Sequence, residues 1–215
     1  MLNVNEANYP QEFSLNTFKT LNYFKDRINY CEKYLSRIGA GSSRMVFKID
    51  DNTCLKIAIN KKGLVQNLTE SDKNLQTMDL FTKVYDFDED GMWIEAELAK
   101  RAKPSDFKRL TGYDYETMKQ WINYCHKSYS LSMWAIRIPD NYMELFSSKE
   151  WEDNYEYGIF ADIRKYMQDY MIDAIGDLRR ISSWGIVNRN NKEQLVIIDS
   201  GLSDEVYNDY YKKRI

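Results

Sequence analysis

The sequence predicts an α+β fold, in which a five-stranded antiparallel sheet with one inserted helix precedes a mostly helical half. Two strand pairs predict most of the sheet: residues 44–59 turn at 50–52, and residues 82–98 turn at 88–91. In both pairs apolar residues cluster in short runs that flank a turn rich in Asp, Asn or Gly. Apolar residues at helical spacing between and after the pairs predict the helices.

The first helix is predicted over residues 15–35, because one apolar stripe recurs at intervals of three or four residues. Its members are Leu15, Phe18, Leu21, Phe24, Ile28, Cys31 and Leu35. A first strand then leads into the run Gly39-Ala40-Gly41-Ser42-Ser43, which is too flexible for the interior of an element. The inserted helix is predicted over residues 62–80 from its apolar positions, which are Leu64, Leu68, Leu75 and Met78.

The second half begins with a surface connection at residues 100–104 and continues with helices over residues 114–131 and about 155–175. No element is predicted for residues 132–154. A hairpin follows, with strands near 184–187 and 195–198 around Asn190-Asn191. We therefore expect an N-terminal helical extension at 1–35, a sheet-bearing lobe at 36–99 and a helical lobe at 100–215.

Composition narrows the classes of function. A net charge of −3 over 215 residues gives no broad basic surface, so nucleic acid is a poor candidate partner. No apolar stretch approaches the roughly 20 residues that cross a bilayer, so no membrane partner is expected. Three widely separated cysteines are typical of a reducing cytoplasm, and the single His126 excludes any site that needs two imidazoles.

Four candidate site residues in the first half of the chain follow from the residue pattern. Gly39 and Gly41 would let a hairpin backbone pass close to phosphate groups, although an ordinary tight turn is the more usual explanation of such a pair. Lys56 interrupts the apolar strand Leu55-Lys56-Ile57-Ala58, which indicates either a directed ammonium group or a surface-facing lysine. Glu70 in the following helix could cross to Lys56 as an ion pair, or could simply face solvent.

Asp199 ends the apolar run Leu195-Val196-Ile197-Ile198 and precedes Ser200-Gly201. An isolated carboxylate at the open end of a buried strand is a good Mg²⁺ ligand, because Mg²⁺ takes one or two carboxylates together with phosphate oxygens. A helix N-cap or turn aspartate is the alternative.

In order and spacing these motifs resemble the protein-kinase superfamily, and specifically short kinase-like proteins encoded by tailed bacteriophages. The stretch Gly39-Ala40-Gly41-Ser42-Ser43-Arg44-Met45-Val46 is similar to the glycine-rich loop, with Arg44 where the third glycine stands. Residues 55–58 resemble the strand that carries the ATP-binding lysine, and residues 60–70 resemble the phage proteins throughout. The resemblance implies that Glu70 partners Lys56, and that Glu97 and Ala99, in Trp93-Ile94-Glu95-Ala96-Glu97-Leu98-Ala99, hold adenine through backbone groups.

In the second half, residues 176–185 resemble the catalytic loop, with Asp177 in the position of the catalytic base. Asp199-Ser200-Gly201 is similar to the Asp-Phe-Gly motif, with serine in place of phenylalanine. Ser182 stands where kinases have the asparagine that binds the second magnesium ion. The resemblance implies a kinase-like bilobal fold, and because the chain ends 14 residues after Gly201 we expect its helical lobe to be truncated and to lack an activation segment.

The resemblance implies binding of ATP and Mg²⁺ and a role in the cytoplasm of an infected bacterium, with a host or phage protein as target. It also implies that Lys56, Glu70 and Asp199 converge on one cleft. The retained Lys56, Glu70, Asp177 and Asp199 favour a phosphotransferase. Ser182 and the missing activation segment favour a catalytically inactive pseudokinase interaction module, or a virion or assembly component.

Overall fold

We describe the protein from a computed structural model, over residues 7–129, 137–149, 151–152, 158–170, 175–199, 201, 206 and 209–210. The chain divides into two compact units. The first comprises Met1–Thr77 and Thr82–Ala99, and the second comprises Met78–Phe81 and Lys100–Ile215. Among the described residues, no helix combines the length and apolar character that crossing a membrane requires.

The first unit contains the predicted five-stranded antiparallel sheet, so the α+β class is confirmed. Its strands lie in the order β1-β2-β3-β5-β4, and every pair is antiparallel. The insertion between β3 and β4 holds helix α3 and the single-turn helix α4. In chain order the elements are α1 (Leu15–Lys19), α2 (Phe24–Tyr34), β1 (Ser36–Ala40), β2 (Arg44–Lys48), β3 (Thr53–Ala58), α3 (Lys61–Glu70), α4 (Lys73–Gln76), β4 (Val84–Phe87) and β5 (Trp93–Glu97).

The two predicted long helices are each divided by a local break. Residues 20–23 separate α1 from α2, and Ser71 and Asp72 separate α3 from α4. Asp72 starts α4 because its carboxylate accepts hydrogen bonds from the Asn74 and Leu75 backbone N–H groups. The apolar spacing continues across the break from Leu68 to Leu75, which is why the sequence pattern did not reveal it.

The two faces of the sheet have different coverings. Phe47, Leu55, Ile57 and Trp93 face one side, where they pack against Phe13, Phe18 and Cys31 from the N-terminal helical segment. The opposite face carries the smaller apolar cluster of Cys54, Ile94 and Ala96. Because successive strand residues alternate between faces, Lys56 shares this second face.

Tyr9 attaches the N-terminal segment to the covered side of the sheet. Its hydroxyl donates a hydrogen bond of 2.7 Å to Glu95 Oε2, and the Glu95 side chain is buried. Burial raises the pKa of the Glu95 carboxyl, while the hydrogen bond from Tyr9 lowers it, and the net pKa remains above its usual value. Burial also raises the pKa of the Tyr9 hydroxyl, which therefore remains a donor.

We expect Tyr9→Phe to lower the free energy of unfolding by about 1.5–3 kcal/mol at pH 7, the range for hydrogen bonds to charged groups. Because the pKa of Glu95 is raised in the folded state, the fold loses stability as pH rises and Glu95 ionises. Removing the Tyr9 hydroxyl raises this folded-state pKa further. The loss should therefore shrink below the unfolded glutamate pKa of about 4.3. Urea unfolding at pH 7 and at a pH below about 4.3 measures the loss of unfolding free energy. Tyr23→Phe is the control, because Tyr23 is exposed. Equal losses at both pH values would contradict this electrostatic account.

The second unit combines helices with a three-stranded sheet in the order β6-β7-β8. The predicted hairpin is confirmed as β7–β8, and Asn190 and Asn191 at its turn have positive φ of 52° and 61°. Its elements in chain order are β6 (Lys100–Arg101), α5 (Pro104–Thr111), α6 (Tyr115–Tyr129), α7 (Asp140–Phe146), α8 (Ile159–Tyr170), α9 (Ile175–Leu178), a 3-10 turn (Ile181–Ser183), β7 (Trp184–Arg189) and β8 (Lys192–Ile197).

Aromatic side chains build the core of the second unit. Trp121 on α6 packs against Trp151 and Phe160, and its indole N–H donates to the Phe160 carbonyl oxygen at 3.0 Å. Residues 78–81 belong to this unit because the Ile197 N–H donates to the Leu80 carbonyl oxygen at 2.7 Å. This packing fixes the end of β8, which leads directly to Asp199.

Candidate functional site

Gly41 lies in the turn between β1 and β2, whereas Gly39 lies within β1, so the prediction that residues 39–43 are too flexible for an element is wrong for Gly39 and Ala40. Gly39 is opposite Val46 across the strand pair, and the Gly41 N–H donates to the Arg44 carbonyl oxygen at 2.8 Å. A Cβ atom added at Gly39 would lie 3.5 Å from Val46, and one at Gly41 would lie 3.7 Å from the Arg44 carbonyl oxygen. These are ordinary contact distances, so the turn itself tolerates a side chain at both positions.

The predicted ion pair between Lys56 and Glu70 is present. Lys56 Nζ lies 2.6 Å from Glu70 Oε2, and the two side chains are only 8% and 2% exposed. Lys56 stands in the centre of the sheet, directly between Val46 and Ile94 on the neighbouring strands. This burial excludes the surface-facing alternative for Lys56 and the solvent-facing alternative for Glu70.

Helix α3 brings Glu70 to the sheet because Asn60 fixes the residue at which the helix begins. Asn60 caps the helix by accepting from the Gly63 N–H at 3.2 Å, and its side-chain amide donates to the Ser42 carbonyl oxygen at 2.9 Å. On the same helix, buried Asn67 donates to the Gly91 carbonyl oxygen at 2.8 Å. The helix is therefore anchored to two turns, the β1–β2 turn and the β4–β5 turn, which lie at the same end of the sheet on either side of the end of β3.

Arg44 is a member of this buried cluster that the sequence reasoning did not identify as a site residue. Its Nη1 lies 2.7 Å from Glu70 Oε1 and donates to Asn67 Oδ1 at 3.2 Å. The contact with Glu70 is an ion pair without an aligned hydrogen bond. A usable signal was the spacing of Asn67 and Glu70, which places two polar side chains on one face of α3 opposite a strand arginine.

Small apolar side chains surround Lys56 on its face of the sheet. Cys54, Ile94 and Ala96 form a buried cluster, with partly buried Val46 packed against it. Burial raises the pKa of the Cys54 thiol to about 11, so this cysteine is a neutral packing residue. Cys54, Ile94 and Ala96 are themselves covered, at 3%, 0% and 0% exposed, so Val46 is the member of this group that a ligand beside Lys56 could reach.

Glu97 and Ala99, the residues expected to hold adenine, lie at and after the end of β5. The Glu97 N–H already donates to the Lys83 carbonyl oxygen at 2.8 Å, and the Leu98 N–H donates to the Asn52 carbonyl oxygen at 2.7 Å. Adenine binding by Glu97 and Ala99 stays a prediction, with the Glu97 carbonyl oxygen and the Ala99 N–H as the groups concerned.

In the second unit Asp177 lies on the short helix α9. Its Oδ1 is 2.8 Å from Arg180 Nη1, and its side chain is 40% exposed. Burial raises the pKa of the Asp177 carboxyl, the Arg180 guanidinium opposes this, and the negative charge of Asp199 raises the pKa further. The charge of Asp199 is thus close enough to affect the ionisation of Asp177.

The loop between α9 and β7 is held in a defined position. The Trp184 indole N–H donates to the Leu178 carbonyl oxygen at 2.8 Å, and the Ile198 N–H donates to the Ser183 carbonyl oxygen at 2.9 Å. The second bond places the end of β8, and with it Asp199, beside the 3-10 turn. Ser182 in that turn is exposed, whereas Ser183 is buried.

Mg²⁺ takes one or two protein carboxylates, so Asp199, the predicted metal ligand, is of the right chemical kind for such a site. Within the described part of the chain there is no group of three or more His, Cys, Asp or Glu residues that could hold a metal ion alone. Ser200 and most residues from 202 to 215 lie outside the described residues. The convergence of Asp199 with Lys56 and Glu70 also stays a prediction.

Comparisons with known proteins give only distant similarity. No family model and no curated protein matches the chain. Among solved structures, SAICAR synthase from Saccharomyces cerevisiae in complex with SAICAR aligns at 11% identity and a TM-score of 0.36, over 77% of this chain and 72% of that one. The streptomycin–ATP–APH(2″)-IIa ternary complex aligns at 12% identity and a TM-score of 0.32, over 85% and 73%.

A choline/ethanolamine kinase family protein from Mesorhizobium loti aligns at 17% identity and a TM-score of 0.30, over 78% of this chain and 57% of that one. Similarity at this level does not assign an activity. The prediction of a kinase-like protein therefore depends on the chain itself and not on these alignments. The features that support it are the strand order, the helix after β3 and the buried Lys56–Glu70 pair.

Proposed function

We propose that the chain is a kinase-like protein that binds ATP with Mg²⁺ and transfers the terminal phosphoryl group to an acceptor. The observation that carries the proposal is the buried Lys56–Glu70 ion pair, next to the glycine turn of β1 and β2. Burying a lysine and a glutamate in a sheet costs desolvation energy, and an apolar pair of similar size would usually be as stable or more stable. A functional role for the pair accounts for its presence.

In this proposal Lys56 binds phosphate oxygens, and Glu70 keeps its ammonium group extended towards them. Partly exposed Val46 would contact the base, and backbone groups of Glu97 and Ala99 would fix its orientation. Because glycine is not required by the turn itself, close approach of phosphate groups would account for Gly39 and Gly41. These residues bind and orient the nucleotide and perform no bond-making step.

Asp199 would hold Mg²⁺, which supplies charge neutralisation on the phosphates when bound, and Ser182 would be a secondary ligand. Asp177 would accept the proton of the attacking hydroxyl group. Its raised pKa favours proton acceptance over a carboxylate of ordinary pKa, although Arg180 limits the rise. We propose a host or phage protein as the target, and the cytoplasm of the infected cell as the place of action, from the resemblance of residues 39–70 and 176–201.

A pseudokinase interaction module is the second candidate function. It is favoured by Ser182, an exposed serine where the resemblance implies an asparagine ligand for a second magnesium ion. A serine hydroxyl is a poorer ligand for that ion than an amide carbonyl oxygen. This candidate contacts a host protein and lacks phosphoryl transfer, whether or not it binds a nucleotide at Lys56.

Ligand-dependent stabilisation tests nucleotide binding. ATP with Mg²⁺ at a hundredfold excess over its Kd should stabilise the fold by about 2.7 kcal/mol, which is roughly 5–10 °C in Tm for a chain of this size. Asp199→Asn should remove the part of the shift that depends on Mg²⁺, because it deletes the proposed metal carboxylate. Asp169→Asn, at an exposed position on α8, is the matched control. Differential scanning fluorimetry with ATP alone and with Mg²⁺ measures both effects.

The outcomes separate the candidates. A shift together with phosphate transfer to water or a protein supports the enzyme, and a shift without any transfer supports the pseudokinase. The absence of a shift with ATP, GTP and their diphosphates would reject nucleotide binding and leave the interaction module.

A further inference from the structure

The three residues that follow the glycine turn all contact helix α3. Lys62 Nζ donates to Ser42 Oγ at 2.8 Å, and Ser43 Oγ donates to Gln66 Oε1. The third, Arg44, contacts Asn67 and Glu70. These contacts run along α3 from its first turn to its last residue. The glycine turn and the helix that carries Glu70 are therefore joined along the whole length of the helix.

The two oxygens of Glu70 have different partners. Oε2 pairs with Lys56 at 2.6 Å, and Oε1 pairs with Arg44 at 2.7 Å. A carboxylate held by one cation can rotate about its last side-chain torsion, because this sp³–sp² torsion is broad. The second cation fixes the plane of the carboxylate and assigns Oε2 to Lys56. Both cations are nearly buried, with side chains 8% exposed, so solvent screens the interaction weakly.

We infer that Arg44 is a positioning residue for Lys56, acting through Glu70. This inference rests on the proposed function, since it gives Lys56 its phosphate-binding role. Arg44 holds α3 against the sheet before any nucleotide arrives, so the Lys56–Glu70 pair is already assembled in the ligand-free protein. Nucleotide binding therefore requires no movement of α3. Such a movement would have to break the contacts of Ser42, Ser43 and Arg44 together.

A direct contact of Arg44 with phosphate is the competing role. The structure favours the indirect role, because Arg44 Nη1 contacts Asn67 and Glu70 and the side chain lies against α3. The two roles give different results in a variant that lacks Lys56, since an indirect effect disappears with Lys56 and a direct effect remains.

The first experiment uses the ligand-free protein. Acetic anhydride labels lysine amines, and peptide mass spectrometry gives the rate at Lys56 relative to exposed Lys61. We expect Arg44→Met to raise this relative rate about tenfold, a change equivalent to 1.4 kcal/mol. Arg44→Lys, which retains a cation, should restore part of the protection. Lys48→Met is the matched control, because Lys48 is a cation on the same strand that pairs with exposed Asp51. An unchanged rate in Arg44→Met would overturn the inference, whether or not the protein binds nucleotide.

The second experiment measures the affinity for ATP with Mg²⁺ by calorimetry in four proteins: wild type, Arg44→Met, Lys56→Met and the double variant. We expect Arg44→Met to weaken binding about tenfold in the wild-type background and less than about twofold in the Lys56→Met background. Equal losses in both backgrounds would reject the indirect role. If the wild type does not bind ATP at all, the proposed function fails, while the labelling result still decides whether Arg44 positions Lys56.

Discussion

Glu70→Gln is expected to lower the free energy of unfolding by about 3–5 kcal/mol, because it leaves two buried cations without their shared carboxylate. Glu70 is 2% exposed and lies 2.6 Å from Lys56 and 2.7 Å from Arg44. Glutamine has the same shape and keeps one oxygen as an acceptor, so the effect reports the loss of charge. For a chain of this size the corresponding fall in Tm is roughly 6–20 °C.

Chemical denaturation with urea measures the loss, and Glu89→Gln at an exposed turn position is the control, with an expected change below about 0.5 kcal/mol. A triple variant with methionine at positions 44, 56 and 70 should recover most of the stability, because it removes the unpaired charges along with the carboxylate. A Glu70→Gln variant within about 1 kcal/mol of the wild type would show that this carboxylate is not what compensates Arg44 and Lys56.

The sheet could be predicted from the sequence because its signals are local. Strand alternation and the turns at residues 50–52 and 88–91 specify β2 to β5 without knowledge of the tertiary structure. The break at Asp72 was missed because apolar spacing continued across it, and a single capping carboxylate decides the boundary. Helix α7 was missed because a seven-residue helix leaves too short an apolar pattern to distinguish from a loop.

The candidate site was predictable to the extent that its residues are chemically unusual for their elements. Lys56 stood out as a charge inside an apolar strand, and Glu70 as a carboxylate on the next helix. Arg44 begins a strand, where a charged residue is ordinary, and only the packing of α3 shows that its side chain is buried. The adenine and metal roles of Glu97, Ala99, Asp177, Asp199 and Ser182 stay predictions, since they concern ligands.

Substitution of Gly63 is expected to cause the second large loss of stability, because α3 packs against the sheet there without space for a side chain. A Cβ atom at Gly63 would lie 2.2 Å from the Ser43 carbonyl oxygen and 3.0 Å from Ala58 Cα and Cβ. The obstructing atoms are mostly backbone, so the first turn of α3 would have to move away from β2 and β3. We expect Gly63→Ala to cost about 1–3 kcal/mol, the range for overpacking, despite the gain of up to about 1 kcal/mol in helix propensity.

The matched control is Gly176→Ala, since Gly176 also lies in a helix and no atom of the described residues would lie within 4 Å of an added Cβ. It should leave the stability unchanged or slightly higher, as should Gly41→Ala, whose nearest neighbour would be 3.7 Å away. Because Gly63 and Glu70 lie on the same helix, Gly63→Ala should also raise the acetic anhydride labelling rate of Lys56. Unfolding by urea and labelling of the ligand-free protein measure the two effects. A stable Gly63→Ala variant with unchanged labelling would mean that α3 can shift on the sheet without disturbing Glu70, and the close contact at Ser43 would then have no part in holding the Lys56–Glu70 pair.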